Sequence, residues 1–591
     1  MFTKRVRVRR GDKSYVYVKL VESYRDGGRV RQRVVANLGR EDELKVSGQL
    51  EALAGSFARL DPPMAGVRRE VGPLLLVAHV VSRLGLAGIV DAHLPDRRRS
   101  RLSPAEVVVA LIANRLAAPS PLYDVAGWAS GAAMAEIFSV PPMLLNDDRL
   151  GRVLEELAPV AEPVRGAVAL AAIEGFGIDA SRLHLDLTAL RVAGGYEGSS
   201  LVQKGWGAQR TIARQVQALA VTNRDGVPLY MRPEAGAAAE LCCIGAALER
   251  LSALLPPGVV VCADSALGHV KNLCEVDRAG LSFVVPLREA SGFRDRFLQE
   301  VGPGALAPVK HTSRRERHLP PSQRTAYKGA LRAWEVADPV TKQPRRFKVA
   351  YIWSSEEQAA VRQAREKSVS RAEEALARVA GGLGGRFYRT PGQVATKVAQ
   401  ILSGNLAELV TVTVGERDGR PTLSFERNKA AIQAAERTDG IYALATNIKG
   451  RLNPTQVLGI YKDQGLVECA HKNGKQTLRV RPIFLHNDDR IEALISIVGL
   501  ALVVFGLIEI ELRRALGDRQ LPGLLPEGRS ARPTGRNILA AFQGLGLTYT
   551  PTGIVLDRLT RTQKQILELL GVSLPWPEQG KPEPSKCGKR A

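Results

Sequence analysis

Three carboxylates stand in settings that allow joint chemistry: Asp186 in His-Leu-Asp-Leu-Thr, Asp264 in Val-Val-Cys-Ala-Asp-Ser-Ala, and Glu468 in Tyr-Lys-Asp-Gln-Gly-Leu-Val-Glu. The first two close β-type runs; the third lies in a basic stretch with helical spacing. Hard oxygen ligands of this kind can converge on two magnesium ions roughly 4 Å apart, which activate water or a 3′-hydroxyl and neutralise a pentavalent phosphate. On a helix, Tyr461, Gln464, Glu468 and Lys475 fall on roughly one face. Lys475 and the nearby Lys472 offer point charges for a phosphate backbone. Taken singly, an aspartate near a strand end is more often a turn or cap residue, and a helical glutamate a solvated charge. The combination is what points to phosphodiester chemistry.

The rest of the chain must carry and position these groups. Its 591 residues suffice for several domains, and an apolar fraction of 45% excludes wholesale disorder. A balance of 83 Lys+Arg against 60 Asp+Glu gives a formal charge of +23, which favours a nucleic-acid partner over acidic proteins or anionic lipid. The six cysteines show no CxxC spacing and no zinc pattern, and read as reduced thiols of a cytoplasmic protein. The basic N-terminus lacks the apolar core of a secretory signal. The apolar run 493–508, at 16 residues, falls short of the ~20 needed to span a bilayer and reads as a buried core helix, so no membrane partner is expected.

Residues 1–40 hold twelve Lys/Arg and three Asp/Glu, a local net of +9, with strand-like alternation and an Asp26-Gly27-Gly28 turn. A basic N-terminal β-unit (1–60) that can contact a nucleic-acid backbone is expected. A helical domain for DNA binding or dimerisation (61–175) follows, in which Ser103-Pro104-Ala105-Glu106 has the form of a helix start. The pattern over 176–290 is α/β. A strand carries Leu183, Leu185 and Leu187, with Asp186 near its end; a hairpin turns at Asp225-Gly226; a helix spans about 239–255; Val259–Ala263 is a strand delivering Asp264; and a helix and a strand at Leu281–Pro286 follow. That order matches a ribonuclease-H-like core. An insertion domain (291–440), β-rich at first, carries Trp334 and Trp353 in a basic stretch and helices at 355–382 and 391–403. The core resumes over 441–515 with Ile441–Thr446, a helix at 454–475 and the apolar helix at 493–515, before a C-terminal helix and basic tail (516–591). The fold class expected is therefore α/β, with a ribonuclease-H-like core interrupted by an insertion.

The Tyr461, Glu468, Lys475 spacing resembles the Y-(2)-R-(3)-E-(6)-K signature of bacterial insertion-sequence DDE transposases, in the insertion-sequence-four superfamily. Asp186 with the Gly-Gly-Tyr loop at 194–196 resembles their first acidic motif, and Asp264 in Ala-Asp-Ser-Ala their second. Leu122-Tyr123-Asp124-Val125 and Asp147-Asp148-Arg149 resemble the helical N-terminal region of the IS-sixteen-thirty-four branch. The likeness covers roughly residues 5–545. It implies cut-and-paste transposition with two Mg²⁺ ions (Mn²⁺ able to substitute), held by Asp186, Asp264 and Glu468. Double-stranded DNA partners, namely terminal inverted repeats and target DNA, and a homodimer formed on that DNA are also implied. Tyr461, Gln464, Lys472 and Lys475 would meet DNA, and Trp334 or Trp353 would stack on an extruded base. One departure stands out. Gln464 occupies the signature's arginine position, which removes a bidentate phosphate fork. A catalytically silent DNA-binding copy and a structure-selective nuclease on the same fold are the alternatives.

Overall fold

Alternation of Val and Tyr with Arg and Lys favours extended chain at the N-terminus. A three-stranded antiparallel sheet forms there from β1 (Phe2–Arg10), β2 (Lys13–Asp26) and β3 (Arg29–Arg40). The computed structural model describes residues 2–10, 13–26, 29–43, 66–94, 101–206, 211–238, 258–313, 316–462 and 485–579. They divide into two units: residues 1–70, 545–558 and 574–591, and residues 71–544 and 559–573. In the first unit, Arg5, Arg7 and Arg9 pair with Val18, Val16 and Ser14. Strand alternation therefore sets the three arginines on one face and Val6 and Val8 on the other. All three arginines are exposed. A short strand β4 (Arg68–Glu70) ends this stretch.

The second unit begins with seven helices: α1 (Leu74–Arg83), α2 (Leu86–His93), α3 (Pro104–Ala117), α4 (Val125–Gly131), α5 (Met134–Phe138), α6 (Asp147–Leu157) and α7 (Ala161–Phe176). The start expected at Ser103 is present as a full capping box, with Glu106 returning a bond to the Ser103 amide and Pro104 at the first helical position. Helix α3 is apolar around most of its circumference and is buried accordingly.

The mixed α/β part follows. Strands β5 (Arg182–Arg191), β6 (Gln203–Trp206), β7 (Ile212–Asn223), β8 (Pro228–Glu234) and β9 (Val260–Cys262) precede helix α8 (Val270–Arg278) and β10 (Ser282–Pro286). Helix α9 (Phe293–Glu300) leads to β11 (Ala307–Val309), β12 (Tyr327–Ala337) and β13 (Pro344–Ser354). Then come α10 (Ser355–Gly381), α11 (Pro391–Ile401), α12 (Leu406–Leu409), a hairpin of β14 (Val410–Arg417) and β15 (Arg420–Arg427), and α13 (Lys429–Glu436). Strand β16 (Ile441–Thr446), α14 (Pro454–Lys462) and α15 (Asp488–Leu516) complete this part. The helix expected over 239–255 lies outside the described residues.

One sheet of ten strands runs β11-β12-β13-β16-β10-β9-β5-β7-β6, with β8 also paired to β7. Within it, β8, β7 and β5 are antiparallel neighbours, whereas β5, β9 and β10 run parallel. Strand β16 pairs antiparallel with both β10 and β13, so β11–β13 extend the central sheet. Beyond them, α10–α12 and the β14–β15 hairpin share a small core of Val369, Ala372, Leu376, Leu402 and Val410. Ion pairs run along that arm: Asp439, 2% exposed, holds Arg365 beside the sheet, and Arg427 holds Glu366 and Glu373 on α10.

Helix α15 is the centre of the unit, touching α1, α3, α6, α7 and β8. It is long and apolar enough to cross a membrane by length and composition, yet 89% of its apolar window is buried inside the protein. It starts five residues before the expected 493 because Asn487 caps the amides of Asp489 and Arg490. Two glycines seven residues apart let it lie against β8. A Cβ on Gly499 would stand 2.8 Å from the Met231 Cβ, and one on Gly506 2.8 Å from Pro228 Cδ. Gly506→Val is therefore expected to lower stability by about 1–3 kcal/mol, read as an earlier denaturant midpoint; an unchanged midpoint would mean the helix can shift outward freely. Helix α16 (Gly535–Ala540) belongs to the second unit; in the first, β17 (Gly546–Thr550) pairs with β4 and with β18 (Gly553–Leu556). Helix α17 (Arg561–Leu570), expected over 559–570, returns to the second unit and packs on α15.

Candidate active site

The parallel pair β5–β9 sets the geometry of the two aspartates. Arg182, Leu183 and His184 pair with Val260, Val261 and Cys262. Asp186 lies two residues past His184, and Asp264 two past Cys262. Both therefore stand two positions past the last register pair, Asp186 still within β5 and Asp264 in the turn after β9. Neighbouring strands are roughly 4.8 Å apart. Asp186 is mid-strand in β5 rather than near its end, because β5 continues to Arg191 in register with β7. It is the shorter β9 that makes this level a sheet edge.

Local bonds orient each carboxylate. The Thr188 hydroxyl donates to Asp186 Oδ2 at 3.2 Å. The Ala266 amide donates to Asp264 Oδ1 at 2.9 Å, an Asx turn that bends the chain off the sheet. Asp264 is exposed and Asp186 half-buried. The turn is held down at Gly268, where a Cβ would stand 2.2 Å from the Pro286 carbonyl oxygen, and by Arg288, whose Nε donates to the Ser265 carbonyl at 2.8 Å.

Glu468, Gln464, Lys472 and Lys475 lie outside the described residues, but both flanks of their segment are described. On the N-terminal side, α14 packs against the sheet face that carries Cys262, Val284, Ala350 and Leu444, using Val457 and Leu458. The Ile460 carbonyl lies 3.9 Å from Cys262 Sγ, two residues from Asp264. Tyr461 is half-buried, packed on the same cluster 6.4 Å from the Tyr442 ring. On the C-terminal side, His486 and Asp488 bind the loop that follows β5. Asp488 accepts from Ser199 Oγ at 2.5 Å, from the Ser200 amide and hydroxyl at 2.9 and 3.0 Å, and from the Leu201 amide at 3.2 Å. Burial pushes the Asp488 carboxyl up, but these bonds more than offset that and hold it below the usual range. The His486 ring lies 5.3 Å from Tyr196 and fills the space a Gly194 side chain would need. Gly195, Tyr196, Glu197, Ser199, His486 and Asp488 line an open cleft of about 630 Å³. Sequence reasoning noted the Gly-Gly-Tyr loop but not its partners; the Asn-Asp-Asp helix start at 487–489 was the available signal.

The two tryptophans sit elsewhere. Trp334 and Trp353 are half-buried on β12 and β13, and the strand register sets them on the sheet face opposite α14. Arg296 lies over the Trp334 ring at 4.6 Å and Lys328 over Trp353 at 5.3 Å. Among the described residues no group of three or more His, Cys, Asp or Glu side chains is gathered for a metal ion, and Glu468 is not one of those residues.

Residues 3–63 match the N-terminal domain of the IS1634 family transposases, and residues 68–162 match a domain of unknown function, DUF4277. Both matches support an IS1634-type transposase. A search of curated proteins found no match.

Proposed function

We propose that the chain is a DDE-type DNA transposase that excises an insertion sequence at its terminal inverted repeats and joins it to target DNA, on a ribonuclease-H-like core. The strand order β8-β7-β5-β9-β10, three antiparallel then two parallel, supports that core. The observation that carries the reading is that Asp186 and Asp264 each stand two residues past the paired His184 and Cys262, while Ile460 approaches Cys262 and Asp488 binds the loop that follows β5. Glu468 is the sixth residue after Lys462, so chain length alone keeps its Cα within a reach of roughly 21 Å from that of Lys462.

The donor chemistry suits magnesium: Asp186 on β5 and Asp264 in the turn after β9 offer carboxylate oxygens, and Glu468 is the third carboxylate that the motif assigns. Asp186, Asp264 and Glu468 would hold two ions, which supply charge neutralisation and an activated oxygen nucleophile. The chain's own residues do the rest. Thr188 and the Ala266 amide fix the carboxylates, and Lys472 and Lys475 grip the phosphate backbone. The active species is a homodimer on paired ends. The exposed arginines of β1 contact the DNA backbone. Replacing Arg5, Arg7 and Arg9 with Gln should reduce the slope of log affinity against log salt by up to about 3; an unchanged slope would remove β1 from the interface.

The test is incubation with paired end DNA, Mg²⁺ and a target plasmid. Nicking at the element boundary followed by strand transfer is expected. Hydrolysis without joining would instead identify a nuclease.

A further inference from the structure

The arm beyond β13 ends in a tip at residues 382–390, between α10 and α11, with the sequence Gly-Leu-Gly-Gly-Arg-Phe-Tyr-Arg-Thr. Phe387 is 74% exposed there, whereas Tyr388 turns inward against Gly382. The tip is braced by backbone bonds: Gly382 donates to Val379, Gly384 to Tyr388, and Tyr388 to Gly385. A capping box of Thr390 and Gln393 fixes its exit into α11. Phe387 is thus displayed on a rigid mount, at the far end of a 27-residue helix roughly 40 Å long.

The charges around it are equally selective. Between Glu374 and Glu408 the chain carries Arg378, Arg386, Arg389 and Lys397 and no carboxylate. All four are exposed, and Arg386 lies 5.8 Å from the Phe387 ring. Arginines along the body of the arm behave differently: Arg362 and Arg365 pair with Asp439, and Arg427 with Glu366 and Glu373. The tip is thus cationic, with one exposed aromatic ring and no carboxylate in its stretch of chain. A solvated exposed phenylalanine gains nothing by itself. Apolar wedges flanked by arginine are a recurring means of unstacking a base step in duplex DNA.

We propose that Phe387 inserts at a base step of duplex DNA while Arg386 and Arg389 hold the adjacent phosphates. This rests on the reading of the chain as a DNA-processing enzyme, and assigns its arm to holding the DNA away from the carboxylates.

The test uses the full chain and a duplex made from the DNA that flanks the coding region. Anisotropy gives affinity, and permanganate reactivity of thymines reports unstacking. Phe387→Ala should abolish a protein-induced reactive step and weaken binding roughly ten-fold, while Phe387→Trp restores both. Arg386→Gln with Arg389→Gln should lower the salt slope by about 2. If the wild type and Phe387→Ala cut the end DNA and give the same affinity and reactivity pattern, the wedge is overturned and the transposase reading stands. Failure of the wild type to bind or cut would overturn both. Binding of the tip to anionic vesicles in preference to duplex, lost in Phe387→Ala, would overturn the DNA assignment.

Discussion

Asp264→Asn protein is expected to bind end DNA as tightly as the wild type and to cut it at least about a thousandfold more slowly, since metal ligation by these carboxylates is worth several kcal/mol in the transition state. The substitution is nearly isosteric, and Asp264 is exposed. The amide oxygen of Asn can still accept from Ala266, so the turn should survive. Asp186→Asn should behave alike, because each aspartate stands two residues past a paired position of the adjacent parallel strands β5 and β9. Gel-shift affinity and single-turnover cleavage separate binding from chemistry. Cutting by either variant within tenfold of the wild-type rate would deny it a ligand role.

Arg165→Leu is expected to destabilise the second unit by about 3 kcal/mol, the lower end for a broken buried ion pair because Glu162 keeps part of its solvent. Arg165 is 2% exposed on α7. It donates to Ser496 on α15 at 2.5 Å, pairs with Glu162 at 2.6 Å and faces the Tyr230 ring of β8 at 5.6 Å. Tyr230 in turn donates to Glu162 at 2.6 Å. One guanidinium thus joins the helical part, the central helix and the sheet. Burial pushes the Glu162 carboxyl up, but bonds from Arg165 and Tyr230 outweigh it and leave it below the usual range. Its folded value being depressed, the stability it gives is complete above the unfolded-state value near 4.5 and is lost as pH falls through the folded value. Arg165→Leu should therefore also flatten the acid side of the stability profile. Arg346→Ala, which breaks an exposed pair with Glu335, should change stability by no more than about 1 kcal/mol. Equal losses for the two substitutions would contradict the network.

Much of this was legible from residues alone where the signal is local. Strands β9, β10 and β16, the β7–β8 hairpin, the capping box at Ser103 and the buried character of α15 follow from alternation, turn chemistry and apolar periodicity. What escaped depends on partners distant in sequence. That β12 and β13 join the central sheet is decided by β16, about 90 residues further on. Which sheet face Trp334 and Trp353 occupy is fixed only by that same register. The glycines at 499 and 506 are unremarkable in an apolar run until β8 is seen against them. Asp186 read as a strand end because the alternation of leucines stops near it, whereas pairing with β7 carries the strand five residues further. The contacts of Ile460 with Cys262 and of Asp488 with the loop after β5 leave no periodic trace at all.

The central claim is that positions 186, 264 and 468 share one divalent site. Iron-directed protein cleavage tests it directly: Fe²⁺ replaces Mg²⁺ in the complex with end DNA, peroxide and ascorbate are added, and the backbone cuts are mapped by mass spectrometry. Three clusters of cuts are predicted, beside Asp186, Asp264 and Glu468, all suppressed by excess Mg²⁺ and all weakened by Asp264→Asn. Cuts near the two aspartates with none near Glu468 would contradict the account.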